Sequence, residues 1–463
     1  MSRAHASPTA PGTFDTHHPP ERALIDTCVH CGFCLPVCPT YALWGQEMDS
    51  PRGRIYLMKA ALDGTAPMTD QWVGHFDSCL GCMACMPACP SGVDYGKLIE
   101  STRAQIERNY RRPAADTLHR RLLFETFTKP GRLALLRWPL LAYQRTGLQA
   151  ALRALGLFTI LPKAVGAMDA LLPRVRPSET VAPLTPAQGA QRGRVGLLLG
   201  CVQRSFFSHV NAATVRVLSA EGCEVVAPPE QPCCGALFVH AGEEARAQEL
   251  ARRTIDAFDQ ANVDTVVTNA AGCGSSVKEY GHLLRDDPAY ADRAVRFAAK
   301  CKDISEVLAE VPARAERMPL HVRVACHDAC HLQHAQGVRA QPRALLAEIP
   351  GAHVLDIPEA PLCCGSAGIY NLVQPDTARA LGDRKAALIA PLGADVVATG
   401  NPGCLLQLQS SLSRLGLHVP VVHTIELLDA SIRGLSAGEV LGRLESRSPA
   451  AVVKETHGSG GPA

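Results

Sequence analysis

Aromatic residues are scarce in this chain, at 5% of 463 residues. That scarcity excludes the stacked aromatic platforms that hold single-stranded nucleic acids. An excess of one charge sign is missing too, since 46 Lys and Arg against 44 Asp and Glu leave a formal charge of +2. Nucleic acid is therefore excluded as a partner, because its binders carry strongly basic domains. No apolar run is long enough to span a bilayer: Leu133 to Pro173 is broken by Arg137, Arg145, Arg153 and Lys163. Met1 to Pro20 has no apolar core and is read as carrying no secretory signal. A Gly-rich dinucleotide fingerprint is also lacking, so no flavin site is expected on this chain.

What is abundant is cysteine, with 19 residues, most of them in tight, repeated spacings. A secreted disulfide scaffold would be short and loop-rich, whereas this length and 47% hydrophobic content can build cores without staples. The cysteines are therefore read as reduced metal ligands in a cytoplasmic compartment. At about 150 residues per domain, the chain should hold roughly three domains.

Eight cysteines form two runs, Cys28-x2-Cys31-x2-Cys34-x3-Cys38-Pro39 and Cys79-x2-Cys82-x2-Cys85-x3-Cys89-Pro90. Three thiolates two residues apart wrap three corners of a cubane, and the Pro-flanked fourth ligates the other cluster in two-cluster proteins. One [4Fe-4S] cluster is thus assigned to Cys28, Cys31, Cys34 and Cys89, the other to Cys79, Cys82, Cys85 and Cys38. Zinc also takes four thiolates, but its sites usually join two cysteine pairs across a longer gap. Gly32 and Gly81 serve either a tight turn or the approach of backbone N–H groups to cluster sulfides.

Three blocks are expected between flexible tails at 1–20 and 446–463. The first, 21–128, is a helical two-cluster domain, with a connector helix announced by Ser50-Pro51 and by Ile55, Met58 and Leu62 at helical spacing. A second helix runs from Lys97 to Tyr110 and stops near Pro113. Residues 129–190 form a Leu-, Ala- and Pro-rich helical linker. The remainder alternates strand and helix, with buried strands at Val195–Leu199, Thr265–Thr268, Val322–Ala325 and Asp395–Ala398, which argues for α/β layers.

That last block is an internal duplication, with modules at 193–315 and 320–440. Cys201, Cys233, Cys234 and Cys273 correspond to Cys330, Cys363, Cys364 and Cys404 at offsets of 129, 130, 130 and 131, and a Gly follows each Cys-Cys pair. Each set of four is a candidate site for a further iron–sulfur cluster, within one copy or shared between copies. The bland alternative is buried structural cysteine. Cys223, Cys301 and Cys326 have no counterpart, and Cys326 reads as a core residue at a strand end. His327, His331 and His334 read as hydrogen-bond donors around a cluster, ahead of ligands.

These residues resemble a known family. Cys28 through Tyr41, Asp49-Ser50-Pro51-Arg52-Gly53-Arg54-Ile55-Tyr56, Cys89-Pro90-Ser91-Gly92-Val93 and the two Cys-Cys-Gly modules are similar to the iron–sulfur subunit of glycolate oxidase, over about 21–432. The resemblance implies an α+β multidomain fold with a helical ferredoxin-type domain. It also implies FAD-binding partner subunits that oxidise glycolate to glyoxylate while this chain carries electrons to a quinone-type or other acceptor. No catalytic residue is then expected here. The modules also resemble heterodisulfide reductase subunits, where Cys-x2-Cys closes the motif. Ala270 and Asn401 hold the earlier of those positions here, so five-cysteine clusters and disulfide-reducing catalysis are not expected.

Lactate or glycerol 3-phosphate are the alternative substrates of such a complex, and a zinc or redox sensor is the alternative of another class. From Ser101 to Arg145 ten Lys or Arg face three Asp or Glu, a net +7. Two environments suit that stretch. One is water; the other is an anionic surface, either an acidic partner or the inner face of the cytoplasmic membrane.

Overall fold

The computed structural model describes residues 13–175 and 177–445. Ser50 caps the Pro51–Leu62 helix by accepting the Gly53 N–H at 3.1 Å, and Pro51 sits at a position where its missing N–H has no cost. Ile55 and Met58 then pack on Trp72, Val73 and Phe76 of the Asp70–Asp77 helix and on Leu98, Ile99 and Ile106 of the Tyr95–Asn109 helix. Asp94 caps the last of these, so it starts two residues before the expected Lys97.

Residues 13–20 were expected in a flexible tail, and they are packed instead. Thr13 Oγ1 donates to Ala66 O at 2.7 Å, the Phe14 ring lies edge-on to Trp72, and the Asp15 carboxylate accepts from Arg108 Nε at 2.9 Å. His18 lies 2.7 Å from carboxylates of both Glu244 and Asp286. Most of these partners are distant in sequence, which is why local composition gave no sign of them. Residues 1–12 and 446–463, the rest of the expected tails, lie outside the described residues.

The linker helices are Ala114–Phe127, Pro130–Arg145, Leu148–Ala154, Leu157–Ile160 and Lys163–Ala170. They pack loosely, leaving Leu135, Trp138, Leu155 and Ile160 exposed. The basic stretch is partly consumed internally: Arg103 is buried, while Arg108, Arg112 and Arg120 pair with Asp15, Asp77 and Asp116 respectively. Among the described residues, no helix is long and apolar enough to cross a membrane.

The duplicated block folds as two α/β sheets. The first has order β1-β3-β2-β4-β5, with β1 Leu184–Thr185, β2 Gly193–Leu197, β3 Cys223–Val226, β4 Thr265–Thr268 and β5 Cys301–Asp303. Only β1 is antiparallel. The second is fully parallel in order β7-β6-β8-β9, with β6 Val322–Cys326, β7 Ala352–Asp356, β8 Val396–Ala398 and β9 Val421–Val422.

The registers repeat with the sequence. Gly193 faces Cys223 as Val322 faces Ala352, and Val195 faces Thr265 as Val324 faces Val396. The four expected strands are β2, β4, β6 and β8; the inner strand β3 and the outer strands β1, β5, β7 and β9 were not anticipated. The sheets share one core, in which Val210 and Val217 of the Ser208–Ala220 helix join Ile425 and Leu428 of the Thr424–Ile432 helix.

This topology positions the cysteines. Cys201 lies four residues past the end of β2 at Leu197, and Cys330 four past the end of β6 at Cys326. Cys233 and Cys363 each lie seven past β3 and β7, which end at Val226 and Asp356. Cys273 and Cys404 open the helices after β4 and β8. Every member of both sets therefore stands at the carboxyl ends of adjacent parallel strands, the crevice where open α/β sheets bind ligands.

Candidate metal centres

The two N-terminal runs fold as loops with tight left-handed turns, at φ +88° for Gly32 and +59° for Gly81. Gly81 N–H points at Cys79 Sγ, 3.4 Å away, so turn and sulfur approach go together. Cys38 is the residue at which the Pro39–Trp44 helix begins, and that helix start turns it out of its own loop. The loops cross as a result. Cys28 has Cys31 and Cys89 as thiol neighbours, and one hollow is lined by Cys28, Cys31, Cys34, Cys85 and Cys89. Cys82 faces Cys38 and Cys79, and Cys85, which also borders that hollow near Cys34, faces Cys82, Cys79 and Cys38.

Burial and neighbouring thiols push Cys82 and Cys85 well up. Burial acts on Cys79 in the same direction, but the guanidinium groups of Arg54 and Arg103 override it and hold that thiol below its ordinary value. Two buried cations beside a cluster of thiols suit thiolate donors, so this donor set fits an anionic iron–sulfur centre.

Arg54 is 1% exposed and ties the crossing together. It donates to Thr40 Oγ1 (3.2 Å), Ser78 Oγ (2.9 Å), His75 O (2.6 Å) and the Asp49 carboxylate (3.3 Å). Thr40 follows Cys38 and Ser78 precedes Cys79, so one side chain clamps both loop ends. Arg103 donates to Cys79 O, Phe76 O and His240 O, joining the loop to the first module. Tyr370 OH donates to Ser78 O at 3.0 Å from the second module. Sequence reasoning assigned none of these roles. Arg54 had a signal in the Asp49–Tyr56 motif, whereas Arg103 and Tyr370 had none.

All nineteen cysteines are free. In the first module, Cys201 and Cys233 sulfurs lie 3.4 Å apart, and Cys234 meets Cys273. In the second, Cys330 and Cys363 are 3.8 Å apart and Cys364 and Cys404 are 3.4 Å apart. Each copy thus gathers its own four thiols, and no sharing between copies is seen among the described residues. The Gly after each pair has positive φ and packs on a helix; a Cβ on Gly365 would stand 2.5 Å from Ala378 O. Cations recur here: the half-buried Arg204 faces Cys201 and Cys233, and the buried Lys385 faces Cys363 and Cys364.

Cys223, Cys301 and Cys326 stay apart in strands and core. His331 Nδ1 is 3.5 Å from Cys330 Sγ, in keeping with its expected hydrogen-bonding role, and its Nε2 meets His240 Nε2 at 3.2 Å. His334 Nε2 turns instead to Pro361 O. The two modules differ in placement. Cys330 and Cys363 share a core with Leu80, Cys82 and Ala84, while Cys201, Cys233 and Cys234 pack with Leu133 of the linker.

Two crossed cysteine loops joined to paired thiol crevices define an iron–sulfur protein of the electron-transfer class. Residues 24–93 match a 4Fe-4S dicluster domain, which favours iron–sulfur over zinc. Residues 115–172 match the linker region of the glycolate oxidase iron–sulfur subunit, and 195–278 and 324–409 match a cysteine-rich domain. A probable glycolate oxidase iron–sulfur subunit from Bacillus subtilis is 42% identical over 87% of this chain and 92% of its own length. The glycolate oxidase iron–sulfur subunit of Escherichia coli is 35% identical over 89% of this chain and 95% of its own. Lactate utilization protein A of Geobacillus kaustophilus is 32% identical over 51% of this chain and 99% of its own. The chain belongs to the family of glycolate oxidase iron–sulfur subunits, the electron-transfer subunits of an oxidoreductase complex.

Proposed function

We propose that this chain serves a flavin-dependent complex that oxidises glycolate to glyoxylate, with FAD on partner subunits and a quinone-type acceptor. One cluster is held by Cys28, Cys31, Cys34 and Cys89 and the other by Cys79, Cys82, Cys85 and Cys38. Further iron–sulfur centres are held by Cys201, Cys233, Cys234 and Cys273, and by Cys330, Cys363, Cys364 and Cys404. Bound iron–sulfur groups supply one-electron exchange. The chain's own residues fix their sites, exclude water and supply the neighbouring cations.

One observation carries the reading: Cys82 of the second run and Cys330 and Cys363 of the second module lie in a single buried core. Thiol sites so joined suit onward electron transfer, whereas a sensor needs no such continuity. A cavity of about 130 Å³ reaches them through Met83 and His331 and mixes apolar walls (Met86, Val239, Leu283) with charged ones (Lys97, Glu100, Glu279), leaving room for a small acceptor. The exposed Leu135, Trp138, Leu155 and Ile160 support peripheral membrane contact through apolar side chains more than through charge.

The test is anaerobic isolation of the tagged chain from its native source, with assay for bound flavin and for glycolate-dependent dye reduction. Flavin and activity on glycolate are expected. Activity on lactate, favoured by the likeness to lactate utilization protein A, or on glycerol 3-phosphate would move the substrate; absence of flavin and partners would overturn the complex.

A further inference from the structure

We propose that His327 is a ligand of the iron centre in the second module, beside Cys364 and Cys404. The inference rests on the reading that this module binds iron. A ring nitrogen of His327 and the sulfurs of Cys364 and Cys404 all lie within 4.8 Å of one another, close enough to share one metal. His327 is 4% exposed, and its Nε2 is buried with no hydrogen-bond partner among the described residues. A buried polar atom left unpaired is destabilising, so its persistence calls for a partner. The backbone is already held in place, since His327 N–H donates to Ala398 O at 2.8 Å at the carboxyl ends of β6 and β8.

The duplication supplies an internal control. At the offset of 129 that relates Cys201 to Cys330, the counterpart of His327 is Leu198, 2% exposed and packed in an apolar core. Gly235 packs on Ala247 as Gly365 packs on Ala378, and by that alignment Thr254 stands where the second module has Lys385. Lys385 is fully buried, faces Cys363 and Cys364, and donates to Glu359 O at 2.6 Å. Only the second module therefore combines a neutral nitrogen donor with a fixed cation at its thiols. An imidazole at this position adds a donor beside the four thiols without adding negative charge, whereas a thiolate in its place would lower the potential.

The test uses the full chain, purified anaerobically with its accompanying partners and labelled with ¹⁵N-histidine. The readouts are pulsed EPR of the reduced iron–sulfur signals, iron content and a redox titration. A nitrogen coupling on one signal is expected, and it should vanish in His327→Leu, which copies the first module. Because that variant can lose its iron, His327→Cys is the second arm; it should keep iron, lose the coupling and shift the midpoint to more negative potential. Coupling that persists in His327→Cys, or no coupling in a wild-type chain whose iron content falls on Cys364→Ser, overturns the ligand and leaves the iron-binding reading intact. Iron content unchanged by Cys364→Ser overturns both.

Discussion

Replacing Arg54 by Met tests whether the crossing of the two cysteine loops depends on one buried guanidinium. The substitution keeps an unbranched apolar stem and removes the charge and the hydrogen bonds to four acceptors. Breaking a buried ion pair by removing one partner costs about 3–5 kcal/mol, because the remaining charge stays desolvated. Asp49 keeps Ser78 Oγ at 2.9 Å and His75 Nδ1 at 3.0 Å, so the lower end of that range applies, about 3 kcal/mol. At 1.4 kcal/mol per decade, opening of this region becomes roughly a hundred times more frequent.

The assay is anaerobic release of iron to a ferrous chelator at fixed sub-denaturing urea, followed through the visible band. Arg54→Met should release one cluster's iron about a hundredfold faster and leave the other cluster slow. Adding Asp49→Asn removes the stranded charge and should recover part of the loss. If the double variant is no slower than Arg54→Met alone, the desolvated carboxylate is not the cause. Unchanged release in the single variant refutes the clamp altogether.

Crossed ligation predicts that Cys38→Ser damages the cluster of the second run and Cys89→Ser that of the first, which cluster-resolved EPR would read as opposite losses; loss of the variant's own run refutes the crossing. Gly53→Ala should impair folding by several kcal/mol, since its Cβ would lie 2.0 Å from Glu47 O, and a near-native urea midpoint would contradict that backbone contact. Glu100 should make stability depend on pH. Burial, and then the nearby Glu279, push it from 4.5 to about 8, so the fold favours the neutral acid. Its contribution is full below pH 4.5 and is lost as pH rises through about 8. Glu100→Gln should therefore gain melting temperature over wild type between pH 5 and pH 9, and a pH-independent difference would refute the shift.

The ferredoxin-type runs were legible because their signature is local: each keeps its cysteine spacing and its flanking Pro within one short stretch. The duplication was legible because the offset shared by the cysteines is also the offset of the strand registers. The strands β2, β4, β6 and β8 read as apolar runs, whereas β5 is Cys-Lys-Asp, with two charged residues, and β9 has only two residues. What could not be read was everything held by distant polar partners. Arg103 looked like one of many cations on a basic helix, yet its partners lie on another loop and another module. Residues 13–20 looked like a tail for the same reason. The basic stretch spends Arg108, Arg112 and Arg120 on internal pairs and keeps Arg111, Arg121 and Arg145 exposed among apolar side chains, a division that composition does not show.

Duplication also explains why the two thiol crevices cannot be equivalent. Both sets of cysteines stand at the carboxyl ends of parallel strands, so each module inherits the same crevice. The modules pack through the Ser208–Ala220 and Thr424–Ile432 helices around a common core. Only one crevice places its thiols in the core shared with Cys82, and that is the second, with Cys330 and Cys363. The first shares its core with Leu133 of the linker. Selection on an electron path acts differently on a site beside another centre and on one beside a linker. The substitutions that separate the copies, His327 against Leu198 and Lys385 against Thr254, fall in the module whose Cys330 and Cys363 touch the ferredoxin-type domain, while His327 stands by Cys364 and Cys404, which lie in a neighbouring core. A repeated fold thus supplied two like crevices with unlike surroundings.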